Sequence, residues 1–491
     1  MFQFLLNKAN TVRIENNRIT DNEFIVREIN RFKYSKRRND MLTGERYYEG
    51  KHDILSRKRT VIGANGELEE VSNLPNNRIV DNQYKKMVDQ KNNYLLGKPI
   101  TVQCENKQYT KLLKKVFNKK FHKQLKNIGE DSLNCGIGLL FIHYDKHGKL
   151  TFKRFNPVEV IIGWKDEEHT IIDYVIRIYE VIAYEGHREK IIQKVEVYDE
   201  KGITYFELTD GGDLVPVEPY SQPYFTVIED DGIESGYNWT KIPLIPFKYN
   251  AKEIPLIKMI KSLQDGLNTI ESNFLNQMEE DTRNTILVLV NYDGQNLGEF
   301  RRNLAQYGAV KVRTVDGAGG DLKSLQVEVN SDNYKAIIEI FKKAIIENAM
   351  GYDAKDDRLS GNPNQMNIQS MYSDIDLDAN NMETEYQAAF EEILWFLNCH
   401  FFNIGKGDFE EEEVEIIFNR DILISENEVI DNCQKSVGIL SDETIVANHP
   451  WTTDVTEELE RIKKQKESEM DQYGNAFAQT VWGEGLDGKD K

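Results

Sequence analysis

The sequence predicts an α+β chain built in several parts. Three observations carry this: the apolar period changes from helical to alternating near residue 138, two amphipathic helices flank a short strand-rich insert, and a long helix follows a turn-rich loop.

In chain order, Asn22 to Tyr48 reads as a basic helix, with Arg31, Lys33, Lys36, Arg37 and Arg38 on its polar turns. A second helix over Val80 to Leu96 is stopped by Gly97-Lys98-Pro99, and Gly44 to Gly50 and Gly63 to Gly66 read as loop. Lys107 to Lys126 is a lysine-rich helix whose apolar stripe is Leu112, Leu113, Val116, Phe117 and Leu125. Gly138 to Tyr144, Leu150 to Phe155, Val158 to Ile162, Ile171 to Tyr184, Ile191 to Tyr198 and Ile203 to Leu208 are β-branched and aromatic, with turn residues between them. They predict an antiparallel meander.

Beyond Pro243 and Pro246, Leu256, Ile260, Leu263, Leu267, Ile270 and Phe274 alternate spacings of four and three, the seam of a helix packed lengthwise against neighbours. That helix, Glu253 to Asp281, is expected to be about 43 Å long. The insert reads as strand Thr285 to Asn291, helix Leu297 to Tyr307, strand Ala309 to Arg313, a Gly-rich turn at Asp316 to Gly320, and strand Ser324 to Val329. A second amphipathic helix, Asp332 to Met350, carries Tyr334, Ile337, Ile338, Phe341, Ala344 and Ile345 on its apolar face. If the two helices are antiparallel, their common end presents the insert.

Gly351 to Asn364 is polar and rich in turn formers, a loop between helices. A long helix over Asn367 to Phe402 follows, then the acidic run Glu410 to Glu413, a strand at Val414 to Phe418, and a helix over Glu426 to Val437. Ser441 to Thr444 opens another helix, and Asp454 to Glu457 has the spacing of a capping box for a last helix to about Met470. The tail from Asp471 is expected to be poorly ordered.

Charge is distributed unevenly. The chain of 491 residues carries a net charge of −20, yet its first 130 residues hold 27 basic against 15 acidic side chains. A basic N-terminal third suits nucleic acid or an acidic partner, although a solvated lysine face explains such a bias more commonly. The acidic remainder argues against tight wrapping of DNA. No run reaches the ~18 apolar residues of a membrane span, and no signal peptide is recognisable, so the chain is expected to stay in the cytoplasm that makes it. Cys104, Cys135, Cys399 and Cys433 lack metal or framework spacing and read as reduced thiols.

Motifs of catalysis are missing from the sequence. The segment nearest to a Walker loop, Gly317 to Ser324, has Leu322 where its second Gly belongs, and no His-Glu-x-x-His or Gly-x-Ser-x-Gly occurs. Asp374, Asp376, Asp378 and Glu385 match positions 1, 3, 5 and 12 of a calcium loop. Ala379 stands where the turn needs Gly, and Ile375 and Met382 continue a helical stripe, so a solvated acidic helix face is the better reading. The expectation is no enzyme, no cofactor and no metal.

Several strings, in this order, resemble the portal proteins of siphophages that infect Gram-positive bacteria: Asn77-Arg78-Ile79-Val80-Asp81-Asn82, Tyr94-Leu95-Leu96-Gly97-Lys98-Pro99, Asn156-Pro157-Val158-Glu159-Val160, Ile242-Pro243-Leu244-Ile245-Pro246-Phe247, and Gly438-Ile439-Leu440-Ser441-Asp442-Glu443-Thr444 running to Pro450-Trp451. The likeness spans about residues 25–470. It implies an α/β wing (1–252), stem helices (253–281 and 331–350) around a β-α-β-β clip (282–330), a tunnel loop (351–365), a long wing-to-crown helix (366–402), a helical crown (403–470) and a disordered tail (471–491). The resemblance also implies a virion protein forming a ring of about twelve copies at a capsid vertex. Its partners would be double-stranded DNA held without sequence preference, the large terminase subunit, a head-to-tail connector, and the capsid and scaffolding proteins. By position, Lys355, Asp356, Asp357 and Arg358 would lie near DNA, Lys335, Lys342 and Lys343 would line the channel, Arg301 and Arg302 would meet partners, and Leu256, Ile260, Leu263, Leu267, Ile270 and Phe274 would meet the next subunit. Solvated faces or intersubunit pairing are the competing readings for the basic residues. Twelve helices each about 10 Å wide leave a bore of roughly 28 Å, loose for a duplex.

Overall fold

The computed structural model describes residues 22–62, 66–72, 74–228, 234–281, 286–290, 321–325, 331–354, 365–420, 426–452 and 454–467. The chain divides into two units, one comprising residues up to Gly351 with Asp374–Asp421, the other Tyr352–Ser373 with the chain from Ile422.

In the first unit the basic N-terminal stretch is two helices, α1 (Asn22–Lys33) and α2 (Lys36–Tyr48). The expected single helix breaks at Tyr34-Ser35 because Ser35 caps α2, its Oγ accepting from the Arg38 N–H at 3.1 Å. Gly44, expected in a loop, lies inside α2. A Cβ there would sit 2.0 Å from the Asn134 carbonyl oxygen, so the glycine serves close helix packing and not a turn. A short hairpin, β1 (Thr60–Ile62) and β2 (Leu68–Glu70), precedes α3 (Gln83–Leu96) and β3 (Thr101–Gln103). The lysine-rich stretch likewise splits, into α4 (Lys107–Val116) and α5 (Lys119–Cys135), because Asn118 caps α5 by accepting from the Lys120 and Phe121 N–H groups.

The strands that follow are β4 (Ile137–Tyr144), β5 (Leu150–Phe155), β6 (Val160–Trp164), β7 (Ile172–Glu185), β8 (Arg188–Asp199), β9 (Gly202–Leu208), β10 (Leu214–Gln222), β11 (Phe225–Ile228), β12 (Glu234–Tyr237) and β13 (Leu244–Lys248). The expected meander is realised as β6-β7-β8-β9-β10. The strands β4 and β5 leave it for a separate sheet ordered β13-β4-β5. Its third member comes from the Ile242 to Phe247 string, with Pro246 opposite Leu139. One apolar cluster joins Ile137, Leu139, Phe141, Phe155, Val175 and Leu244, and a second sets Ile25 and Ile29 of α1 under Ile176, Val195 and Phe206.

The long helices are α6 (Ile257–Asp281), α7 (Ser331–Asn348) and α8 (Gln365–Asn403), with the antiparallel strands β14 (Ile286–Val290) and β15 (Asp321–Leu325) between α6 and α7. At 25 residues α6 is about 38 Å long, shorter than expected because it starts after Pro255. The expected clip helix and its second strand lie outside the described residues. Strand β16 (Glu415–Ile417) pairs with β3. In the second unit Ser441 caps α10 (Asp442–Ala447), which follows α9 (Glu426–Ser436), and the Asp454 carboxylate accepts from the Glu457 N–H ahead of a helix over 455–467.

Candidate channel and ring elements

Helices α6 and α7 run antiparallel. The Phe274 and Tyr334 rings lie 4.9 Å apart, Tyr334 donates to Gln277 Oε1 at 2.8 Å, and one end further on Phe341 lies over Gly266, where a Cβ would be 2.5 Å from its ring. The glycine is what lets the two helix axes approach at that level.

Along α6 runs a polar row as regular as the apolar seam and unrecognised in the sequence reading: Gln264, Asn268, Ser272 and Asn276, each fully buried and four residues from the next. Four helical residues rise about 6.0 Å, and two extended residues span about 6.6 Å. An extended segment can therefore offer every second N–H to successive side chains of such a row. The Asn77 to Asn82 string does this. The N–H of Asn77 donates to Asn276 Oδ1 at 2.7 Å, that of Ile79 to Ser272 Oγ at 2.9 Å, and that of Asp81 to Asn268 Oδ1 at 3.2 Å. One turn on, the N–H of Tyr84 donates to Gln264 Oε1 at 2.9 Å, and Gln264 Nε2 returns a bond to the Asp81 carbonyl at 2.7 Å. The expected start of α3 at Val80 is displaced to Gln83 because residues 77–82 are held extended by this ladder, and Asn82 then caps the helix.

Buried His52 closes the ladder. Its Nε2 lies 3.1 Å from the Tyr47 carbonyl and its Nδ1 2.8 Å from Asn268 Nδ2, an arrangement that fits a neutral ring donating at Nε2 and accepting at Nδ1. Burial holds its pKa below the usual value. Beside it, Tyr47 donates to Asp265 Oδ1 at 2.5 Å, and Lys261 bridges Asp265 and Asp53, each at 2.6 Å.

The expected site residues fall into distinct classes. Leu256, Ile260 and Leu267 are fully buried in the single chain, whereas Leu263, Ile270 and Phe274 are half-buried. The first three already have their partners inside the subunit, so a neighbouring copy can reach only the others. Lys342 is engaged across the hairpin, 2.7 Å from Asp81 and 3.6 Å from Glu271; Asp81 and Glu271 raise the lysine's pKa against the effect of its burial. Lys335 is exposed, and Lys343 is exposed with Glu347 3.9 Å away. Arg301, Arg302, Lys355, Asp356, Asp357 and Arg358 lie outside the described residues. The large apolar side chains left exposed on the hairpin include Ile337 and Ile340 of α7 and Met259 and Met278 of α6, Ile340 being 63% exposed.

The calcium-like residues sit on one uninterrupted helix. Asp378 receives Lys91 Nζ at 2.6 Å and the Tyr249 hydroxyl at 2.8 Å, and Asp376 receives Arg420 at 2.7 Å and the Tyr94 hydroxyl at 2.5 Å. Among the described residues no group of His, Cys, Asp and Glu is arranged to hold a metal. Lys91 also donates to the Met350 carbonyl at 3.2 Å, which ties α3 and α8 to the end of α7.

The family model for phage portal proteins of the SPP1 Gp6-like type matches residues 31–472. The chain is 30% identical to the portal protein of Bacillus phage SPP1 over 91% of its own length and 87% of the relative's, and 27% identical to that of Clostridium phage phiCD119 over 89% and 96%. Among solved structures, a chain in the neck of a native GTA particle computed with C12 symmetry is similar at a TM-score of 0.38 and 12% identity, over 74% of this chain and 88% of that one, a likeness too loose to argue from. With the model match covering most of the chain and two relatives aligned along nearly their whole length, the chain belongs to the family of SPP1 Gp6-like phage portal proteins.

Proposed function

We propose that this portal subunit assembles head to tail into a ring at one capsid vertex, the channel through which double-stranded DNA is packaged and ejected. The observation that carries this reading is the α6–α7 hairpin. Its inner face is occupied by the ladder and the Lys342 bridge, while Ile337 and Ile340 stay exposed on one side of α7. A heterologous contact made by such a face closes into a ring when its rotation closes, and it buries no symmetric patch. Residues up to about 252 act as the wing, α6 and α7 as the stem, 282–330 as the clip, 351–365 as the tunnel loop, and the C-terminal helices as the crown.

The subunit is a conduit and not a catalyst. The clip docks the terminase, whose ATPase drives packaging, and later the head-to-tail connector; the wing meets capsid and scaffolding proteins. Walls of mixed charge suit passage, since each lysine aimed at phosphate strengthens a hold that movement must break. Lys335 and Lys343, both exposed on α7, are the described lysines proposed to face the bore. Deleting Asp353 to Ser360 tests the loop: rings seen by negative-stain microscopy should persist while DNA packaging falls. Normal packaging by that deletion would remove the loop from the mechanism, and a monomer from the unaltered chain would remove the ring.

A further inference from the structure

Between Asn106 and Gly129 the chain has eight lysines, no arginine and no acidic residue, in a protein whose net charge is −20. The structure turns this composition into a surface. Helix α4 buries Tyr109 and Leu113, the former stacked on Phe409 at 4.4 Å, and α5 buries Phe121, Leu125 and Ile128, with Phe121 set 5.1 Å from Phe152. On the opposite sides Lys107, Lys111, Lys114, Lys115, Lys119, Lys120 and Lys123 are exposed. The row Lys107-Lys111-Lys115 rises about 6 Å per step along α4. In sequence the flanking acidic residues are Glu105 and Glu130, and Glu412 accepts from Asn106 at 2.7 Å beside the start of α4.

We infer that this lysine face of α4 and α5 is a phosphate-contacting surface for double-stranded DNA, separate from the channel. The choice of DNA over an acidic protein follows from what accompanies the charge. Protein interfaces are depleted of lysine and anchored by aromatic residues and arginine; this face has no arginine, and none of the large apolar side chains exposed among the described residues belongs to it. Lysines on flexible stems suit a polyanion that presents phosphate in any register, whereas arginine would be expected where a carboxylate is gripped in fixed geometry. Placement separates the face from the proposed bore: α4 packs on β3 and, through Tyr109, beside Phe401 and Phe409 at the far end of α8, whereas the bore is assigned to α6 and α7. The inference rests on the portal reading only for the identity of the polyanion.

A closed circular duplex cannot thread a preformed ring, so its binding reports the outside of the assembly. Assembled rings should bind a relaxed plasmid with an affinity that falls steeply with salt. In Lys111→Gln/Lys115→Gln/Lys119→Gln/Lys123→Gln, the slope of log affinity against log salt should shrink by about 3 to 4 and the affinity at low salt should drop at least about tenfold. Circular dichroism and ring images should be unchanged, and Arg188→Gln/Lys190→Gln/Lys194→Gln on β8 should bind as the parent does. Equal affinity and slope in parent and quadruple variant would overturn the inference and leave the ring intact as a reading. Capture of polyglutamate by the parent with no plasmid binding would overturn it in favour of an acidic protein partner. Failure to form rings would count against the portal assembly and not against this face, which a monomer would still carry.

Discussion

Replacing Ser272 with alanine removes one rung of the ladder and little else. The hydroxyl accepts from the Ile79 N–H at 2.9 Å and donates to the Asn268 carbonyl at 2.6 Å, and the residue is fully buried. Alanine keeps the helix and leaves the Ile79 N–H facing a methyl group. A buried donor without a partner costs about 1–3 kcal/mol. Because the neighbouring rungs at Asn77 and Asp81 persist, the loss should appear as local opening of 77–84 and not as global unfolding. Converted at about 1.4 kcal/mol per tenfold, exchange of the Ile79 amide should quicken by about 5- to 140-fold, with α8 peptides unchanged. Hydrogen exchange read by mass spectrometry measures this directly. An unaltered rate at 77–84 would refute the reasoning that the row on α6 holds the segment, and equal acceleration in α8 would show that the effect is global.

Three further outcomes follow from the same contacts. His52 is held neutral, so the unfolded chain binds its proton more readily; its contribution is complete above about pH 6.5 and is lost as pH falls below that value, and the melting-temperature advantage of the parent over His52→Gln should shrink between pH 7.5 and 5.5. Gly266→Ala should lower stability by about 1–3 kcal/mol in thermal melts, opposite to the usual gain for alanine in a helix, because the methyl meets Phe341; a higher melting temperature would contradict the close approach. Lys91→Met or Asp378→Leu should each destabilise by about 3–5 kcal/mol because each strands a buried partner, while the double variant should cost less than the two together; additive losses in denaturant titrations would show that the pair is not coupled.

Much of this arrangement was legible in the sequence. The heptad spacing from Leu256 to Phe274 located α6, and the insert between two amphipathic helices placed β14. Two of the strings that carried the family resemblance turn out to be structural joints: Asn77 to Asn82 is the ladder segment, and Ile242 to Phe247 supplies the edge strand β13. What stayed hidden depends on partners distant in sequence. Gln264, Asn268, Ser272 and Asn276 look like the wet side of an amphipathic helix until residues 77–84 are laid on them, although a four-residue row of uncharged amides and hydroxyls was a signal available to be read. Lys342 looked free because Asp81 lies far from it along the chain. Gly44 looked like a loop because only the Asn134 carbonyl behind it requires a glycine. The two missed helix breaks share a cause: Ser35 and Asn118 cap helices whose charge pattern runs on unbroken.

The proposed ring requires α7 to stand against a copy of its own hairpin. A cryo-electron microscopy map of the assembled protein tests this most directly. The expected result is a closed ring whose hole admits a B-form duplex, with Ile337 and Ile340 within about 4.5 Å of the adjacent subunit. A ring whose α7 isoleucines face open solvent, or a protein that remains monomeric, would contradict it.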